Sequence, residues 1–161
     1  MIRRLLLLIP IVLTSYARFA LEHAPAPVAC DLITLDDVHS VLGASWTAGP
    51  ASMNTNTDTF TSCYYVNGVG NIVAFTVVKA PKGGAKAELA RRQANVAVKH
   101  PVVAIPDLCE GAMTEQLTAS NVTLIAASGT WMVQVQVMVS NKPDVEAEKK
   151  LAAGACRRIK G

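Results

Sequence analysis

The segment that decides the fold is WMVQVQVMV, residues 131–139. Its odd positions carry Trp and Val, whereas its even positions carry thioether and amide side chains: Met132, Gln134, Gln136 and Met138. Because successive side chains of a β-strand point to opposite faces, the odd positions predict a core face and the even positions a second face. Another segment, NIVAFTVV at 71–78, is apolar on both faces, which is typical of a central strand. The two segments predict a β-sheet packed against a core.

These strands belong to two similar units, each a hairpin followed by a helix. The first unit comprises strand 63–66, a turn at Asn67-Gly68, strand 69–78 and helix 84–98. The second comprises strand 122–127, a turn at Ser128-Gly129, strand 130–139 and helix 143–159. The offset that aligns Asn71 with Trp131 also aligns Ala85 with Val145, which predicts a weak internal ββα repeat. Chance similarity is the alternative, because ββα units are common.

Further elements complete the predicted domain. Thr34 and Asp37 are spaced to cap a helix at 35–42, and Gly43 is suited to end it. The remaining candidates are strands at 102–105 and 112–117 and a long polar loop at 47–62. The sequence therefore predicts an α+β fold, in which an antiparallel sheet of four to six strands carries helices on one face.

The N-terminus resembles an export signal. Arg3 and Arg4 precede an apolar run at 5–13, and small residues follow at Ser15 and Ala17. The run is too short for a membrane span, which needs about 20 apolar residues. We therefore expect a cleaved signal peptide at 1–17, a Pro-containing spacer at 18–29 and a single domain at 30–161, located in the periplasm or secreted.

Four cysteines in an exported chain predict two disulfides. Cys30 opens the first helix and Cys63 the first hairpin, which favours a bridge between them. Cys156 falls on the sheet-facing side of the last helix, where Cys109 can meet it. A lipid anchor on Cys30 is the alternative, although the preceding residues lack the Leu of a lipobox. The spacing fits neither a redox Cys-x-x-Cys pair nor a zinc site.

Charge gives little support for nucleic-acid binding. The chain has 15 basic and 12 acidic residues, and removal of the signal peptide would take away Arg3 and Arg4. A locally basic stretch, which contains one acidic residue, Glu88, suggests a solvated helix face or contact with an anionic partner. Its members are Lys79, Lys82, Lys86, Arg91, Arg92, Lys99 and His100.

The histidines do not form a catalytic pattern. His23 lies in the spacer, His39 borders the exposed side of a short helix, and His100 precedes a proline in a loop. The sequence lacks a Gly-x-Ser-x-Gly nucleophile motif, and Gly68-Val69-Gly70 lacks the third glycine of a dinucleotide fingerprint. We expect neither a cofactor nor a metal, and we interpret the histidines as surface residues.

Short motifs along the chain resemble a domain-of-unknown-function family of exported actinobacterial proteins and lipoproteins. The motifs are Cys30-Asp31-Leu32-Ile33-Thr34, Leu42-Gly43, Ser62-Cys63-Tyr64-Tyr65 and Ile105-Pro106-Asp107-Leu108. The resemblance covers nearly everything after Cys30 and implies an α+β module of the cell envelope that is compatible with two disulfides. It brings no established activity or site residues. The chain departs from the family pattern at Cys109-Glu110, where a Gly-Asp pair is typical.

These observations predict an exported, non-enzymatic binding module. The expected contact surface is the second strand face, together with the polar loop, against an unknown protein or small ligand of the envelope. Burial of that strand face under a helix is the alternative. An inhibitor of an exported enzyme is the alternative, with Phe60 as the candidate plug. A small envelope hydrolase that uses His100, Asp107 or Glu110 is the second alternative. We expect no nucleic-acid partner, and membrane contact only if Cys30 is lipidated.

Overall fold

The computed structural model describes residues 25–68, 70–97 and 99–160. The predicted signal peptide, most of the spacer with His23, and Val69 lie outside these ranges. The α-helices are α1 (Ala29–Leu32), α2 (Leu35–Leu42), α3 (Gly84–Val96) and α4 (Val145–Lys160), and a 3-10 helix spans Ala51–Met53. The strands are β1 (Thr47–Ala48), β2 (Thr55–Asn56), β3 (Phe60–Val66), β4 (Ile72–Lys79), β5 (Val102–Ile105), β6 (Ala112–Thr118), β7 (Asn121–Ser128), β8 (Trp131–Val139) and β9 (Lys142–Pro143).

The described strands form one antiparallel sheet in the order β1-β3-β4-β8-β7-β6-β5, with β2 paired to β3 and β9 to β8. The sheet has nine strands, so the prediction of four to six was too low. Three of the nine contain two residues each, and a strand that short has no alternating pattern to reveal it. Two of these short strands lie in segment 47–62, which was predicted to be a loop throughout.

Both hairpin turns differ from their predicted positions. Val66 pairs with Ile72, so five residues connect β3 and β4 instead of a two-residue Asn-Gly turn. Ser128 pairs with Trp131, which makes Gly129 and Thr130 the turn between β7 and β8. Gly129 has a φ of 61°, a conformation that glycine adopts without a steric cost.

Helices lie on both faces of the sheet, contrary to the prediction that they share one face. The α4 helix packs on the face that carries Phe75, Val133 and Val135 and contributes Leu151, Ala152 and Ala155 to the main core. The α3 helix packs on the opposite face, where Ala85 and Leu89 join a smaller cluster. The residues of the sheet in that cluster are Met113, Ile125, Ala127 and Met132.

The helix positions also break the proposed ββα repeat. Phe75 pairs with Val135, and Ile72↔Met138 and Val78↔Met132 lie symmetrically on either side of that pair. The β4 and β8 strands are therefore related by a local two-fold axis perpendicular to the sheet. Such an axis would keep α3 and α4 on one face, whereas they lie on opposite faces. The repeat relation thus holds for the central strands and fails for the helices.

Both predicted disulfides are confirmed: Cys30 is bonded to Cys63, and Cys109 to Cys156. The first joins α1 to β3 and the second joins the loop before β6 to α4. Because a sulfur in a disulfide cannot also carry a thioether-linked lipid, this pairing is incompatible with lipidation of Cys30. Two disulfides indicate a compartment outside the cytoplasm. Within the described ranges, no helix has the length and hydropathy to cross a membrane.

The predicted helix at 35–42 is confirmed, with its capping box. The Asp37 backbone N–H donates to the Thr34 hydroxyl, and the Thr34 backbone N–H donates to the Asp37 carboxylate at 2.8 Å. Val38 of this helix is fully buried, and Leu35, Val41 and Leu42 pack around it. The helix therefore docks by the face that its sequence pattern predicts.

Candidate functional site

One half of the α3 side of the sheet is covered by no α-helix of the described chain. The α3 helix contacts β6, β7 and β8 and leaves most of this side of β3, β4 and the far end of β8 uncovered. Ser62 is buried on the same side because segment 51–56 packs over it. We name this surface the open face and define it by six half-buried residues: Tyr64, Ala74, Thr76, Gln134, Gln136 and Met138. None of the six carries a charge.

The strand register fixes the layout of the open face. Ala74 lies between Tyr64 on one side and Gln136 on the other, and Thr76 lies between Ser62 and Gln134. The Gln136 amide nitrogen donates to the Asn121 side-chain oxygen at 3.0 Å, which orients one of the two amides. Directly opposed residues on paired strands stand close together, so these side chains form a continuous surface.

The predicted contact residues do not all belong to this surface. Gln134, Gln136 and Met138 lie on it, whereas Met132 is only 4% exposed because α3 covers it. Phe60 is half-buried at the start of β3 and lies in the same cross-strand row as Val78 and Met132. The aromatic ring therefore belongs to a strand beside the open face and does not project from a loop as an inhibitor plug would.

The polar segment predicted as part of the contact surface borders the open face. The Ser62 hydroxyl accepts from the Thr55 backbone N–H at 2.8 Å and donates to the Met53 carbonyl at 3.4 Å. The Thr57 hydroxyl donates to the Phe60 carbonyl and accepts from the Phe60 backbone N–H. These bonds fasten the segment to the edge of β3, where Met53 remains 40% exposed.

The acid and histidine candidates for hydrolysis lie apart. His100 precedes β5 and Asp107 follows it, so the two residues lie beyond opposite ends of that strand. Asp107 lines a cavity of about 290 Å³ next to the Cys109–Cys156 disulfide, with Arg157 and Lys160 on its wall. Glu110 pairs with Lys160 at 3.4 Å. In residues 25–68, 70–97 and 99–160, no three His, Cys, Asp or Glu side chains are grouped to hold a metal ion.

Several side chains of the basic stretch interact with other residues of the same chain. Arg91 pairs with Glu88 on the surface of α3, and Arg92 pairs with Glu115 of β6 at 3.0 Å. Lys79 lies 6.0 Å from the centre of the Trp131 ring, a cation–π distance. Glu115 is 5% exposed and lies beneath α3, a partner that the local sequence did not reveal.

Glu148 is a buried acid that the sequence analysis did not identify. Its carboxylate accepts a hydrogen bond at 3.0 Å from the Val137 backbone N–H of β8. Burial raises the pKa of Glu148 to about 7. Its spacing from Val145, Ala152 and Ala155 places it on the apolar side of α4. This spacing, which can be read from the sequence, indicates that Glu148 is buried.

His39 is also more than a solvated surface residue. Its Nε2 atom forms a 2.9 Å hydrogen bond with the Trp46 carbonyl oxygen, and the side chain is half-buried. Trp46 itself is 3% exposed. The histidine therefore joins α2 to the segment before β1.

Comparison of this chain with protein-family models, curated proteins and solved structures finds no match. The geometry of its own residues is therefore the basis for a functional proposal.

Proposed function

We propose that this protein is an exported binding module that captures a protein partner outside the cytoplasm through its open face. Export is supported by the two disulfides and by the pattern of basic, apolar and small residues at 1–17. The expected location is the periplasm or the secreted fraction, in line with the resemblance to exported actinobacterial proteins.

One observation carries this proposal: an uncharged, half-buried sheet face on the β3–β4 side of the sheet, without an α-helix of the described chain over it. Covering such a face requires no desolvation of a charge, and burial of an unpaired charge strongly opposes the formation of an interface. Tyr and Met are enriched at the centres of protein interfaces, and Thr and Gln side chains can form hydrogen bonds across them. A surface that extends across three paired strands fits a protein better than a small molecule, because small-molecule sites are enclosed clefts.

Capture from an envelope extract tests the proposal. The oxidised domain should retain a partner, and a double variant, Gln134→Lys with Gln136→Lys, should lose it because two charges would be desolvated at the contact. Gln116→Lys is the matched control, since Gln116 is a half-buried strand glutamine on the opposite face. Circular dichroism verifies that all variants are folded.

Two results would contradict the binding-face proposal. The first is equal capture by the native protein and the double variant. The second is loss of function in a folded protein on substitution of His100, Asp107 or Glu110 alone, which would point to proton-transfer chemistry and the hydrolase alternative.

A further inference from the structure

The β5 strand ends the sheet on the side opposite β3, and its outer edge pairs with no other strand of the described chain. Its sequence, Val102-Val103-Ala104-Ile105, contains no charged residue, and Val103 is 63% exposed. Natural edge strands are usually shielded by a charge, a bulge or a covering element, because an open edge pairs readily with another strand. The opposite edge differs, since the two-residue strands β1 and β2 are all that extends it.

The hydrogen bonds to β6 show which backbone groups of β5 point outward. The Gln116 N–H donates to the Pro101 carbonyl at 3.1 Å, so residue 101 directs its backbone groups toward β6. Direction alternates along a strand, and residues 103 and 105 therefore also face β6. The N–H and C=O groups of Val102 and Ala104 point away from the sheet, which gives two donors and two acceptors on the free edge.

We propose that two copies of this protein pair through β5 in an antiparallel arrangement, with the two-fold axis at Val103. In this register Val102 of each copy lies opposite Ala104 of the other, and each pair exchanges two hydrogen bonds. The two Val103 residues then form a non-hydrogen-bonded pair, in which Cα atoms are about 4.5 Å apart and side chains touch. The most exposed large apolar side chain of the described chain becomes buried.

Charges outside the strand match the same axis. Lys99 lies four residues before Val103 and Asp107 four residues after it, and both are exposed. An antiparallel two-fold pairing places the end of β5 that follows Lys99 in one copy beside the end that precedes Asp107 in the other, so opposite charges flank the interface at both ends. This complementarity favours a second copy of the chain over an unrelated peptide.

The flanking prolines limit the interface to a small one. Pro101 and Pro106 bracket β5, which restricts the pairing to four residues of each copy. The contact is isologous and uses the only long open sheet edge of the described residues, so it closes at a dimer and does not extend into a fibre. An interface below about 1,200 Å² is typical of weak complexes, and we expect dissociation in the micromolar to millimolar range. The open face lies at the other end of the sheet and remains free.

Sedimentation equilibrium of the oxidised protein over a wide concentration range tests the proposal. We expect reversible dimerisation, which Val103→Lys weakens at least about tenfold because two like charges would meet at the axis. Leu117→Lys is the matched control, since Leu117 is an apolar residue of β6 that is 45% exposed. Ala104→Pro removes an outward N–H without touching the ladder to β6, so it provides a second test should Val103→Lys fail to fold.

The charge contact and the backbone bonds have separate readouts. Lys99→Asp should weaken the dimer, and the double swap Lys99→Asp with Asp107→Lys should restore it. Amide exchange at Val102 and Ala104 should slow as concentration rises. A protein that stays monomeric at millimolar concentration overturns the proposal, as does a dimer that Val103→Lys and Ala104→Pro leave unchanged. If an added β-strand peptide protects these amides while the protein stays monomeric, the partner of β5 is a peptide and not a second copy of the chain.

Discussion

The guanidinium of Arg158 donates two hydrogen bonds to the carboxylate of Asp37, at 2.7 and 2.8 Å, across 121 residues of sequence. The same carboxylate accepts from the Thr34 backbone N–H, and the same guanidinium donates to the Leu32 carbonyl at 2.6 Å. One ion pair therefore completes the cap of α2 and fastens the N-terminal helices to the last turn of α4. Arg158 holds the pKa of Asp37 well below its usual range.

Asp37→Asn should reduce the free energy of unfolding at pH 7 by about 2 kcal/mol, because it removes the charge from both the cap and the ion pair. The native pKa is depressed, so this stabilisation is complete above about pH 4 and is lost as the pH falls through the native pKa. The difference between native protein and variant should therefore narrow in acid. Urea unfolding at neutral and acidic pH measures both effects.

A surface ion pair provides the matched control for that variant. Glu146 pairs with Lys149 one turn along α4, and its side chain is 75% exposed. Glu146→Gln should leave stability unchanged at both pH values, since solvent screens the pair. Equal effects of Asp37→Asn and Glu146→Gln would show that the contact between α2 and α4 adds no stability.

Glu148→Gln should stabilise the protein by about 1–3 kcal/mol at pH 8 and have little effect at pH 5. The pKa of Glu148 is raised from 4.5 to about 7, so between these values the native state binds more protons than the unfolded state. Stability contributed by the neutral form is thus present below pH 4.5 and lost as the pH rises through the native pKa. The measurement is the midpoint of thermal unfolding across this range.

Glu148→Leu separates the charge from the hydrogen bond. Leucine removes the buried charge and also leaves the Val137 N–H without its acceptor, so it should stabilise less than glutamine at pH 8. An unfolding midpoint of Glu148→Gln that follows the native midpoint at every pH would contradict a raised native pKa.

The parts of the fold that the sequence predicts are those set by local spacing. The Thr34 and Asp37 capping box, the alternation of β8 and the apolar stripe around Cys156 each depend on residues within a few positions of one another. Each of these features is present in the structure. The disulfide pairing follows because these elements place the cysteines at facing positions.

The features that were missed depend on contacts distant in sequence. The α3 helix buries only Ala85 and Leu89, and so small an apolar face does not indicate which side of a sheet it will cover. The sequence of β7 did contain information about this arrangement. Leu124 to Ala127 are apolar on both faces of the strand, which indicates that other elements pack against both faces of the sheet there. The position of α3 also explains the different burial of side chains on one face of β8. Met132 lies under α3, whereas Gln134 and Gln136 lie on the open face.

Removal of either disulfide should destabilise the domain by about 4 kcal/mol in the chain-entropy treatment. The bridges close loops of 33 and 47 residues, and the loop-closure entropy depends only logarithmically on loop length. The two bridges should therefore contribute nearly equally to the free energy of unfolding. We expect the variants Cys30→Ala with Cys63→Ala, and Cys109→Ala with Cys156→Ala, to lower the urea midpoint by similar amounts. An unchanged urea midpoint after removal of a bridge would contradict the expectation that this bridge stabilises the fold by restricting the unfolded chain.

Mass spectrometry of the protein isolated from its native host should find an N-terminus near Arg18. Small residues at Ser15 and Ala17 fit the cleavage rule. Cleavage after Ala17 would not remove residues that pack against the domain. Ala26 is 8% exposed, and the Pro27 carbonyl accepts a hydrogen bond from the Thr61 hydroxyl. Non-reducing peptide mapping of the same sample should link Cys30 to Cys63, which serves as an internal control for oxidation. An intact Met1 would contradict cleavage, and a diacylglycerol on Cys30 would contradict both the cleavage site and the disulfide.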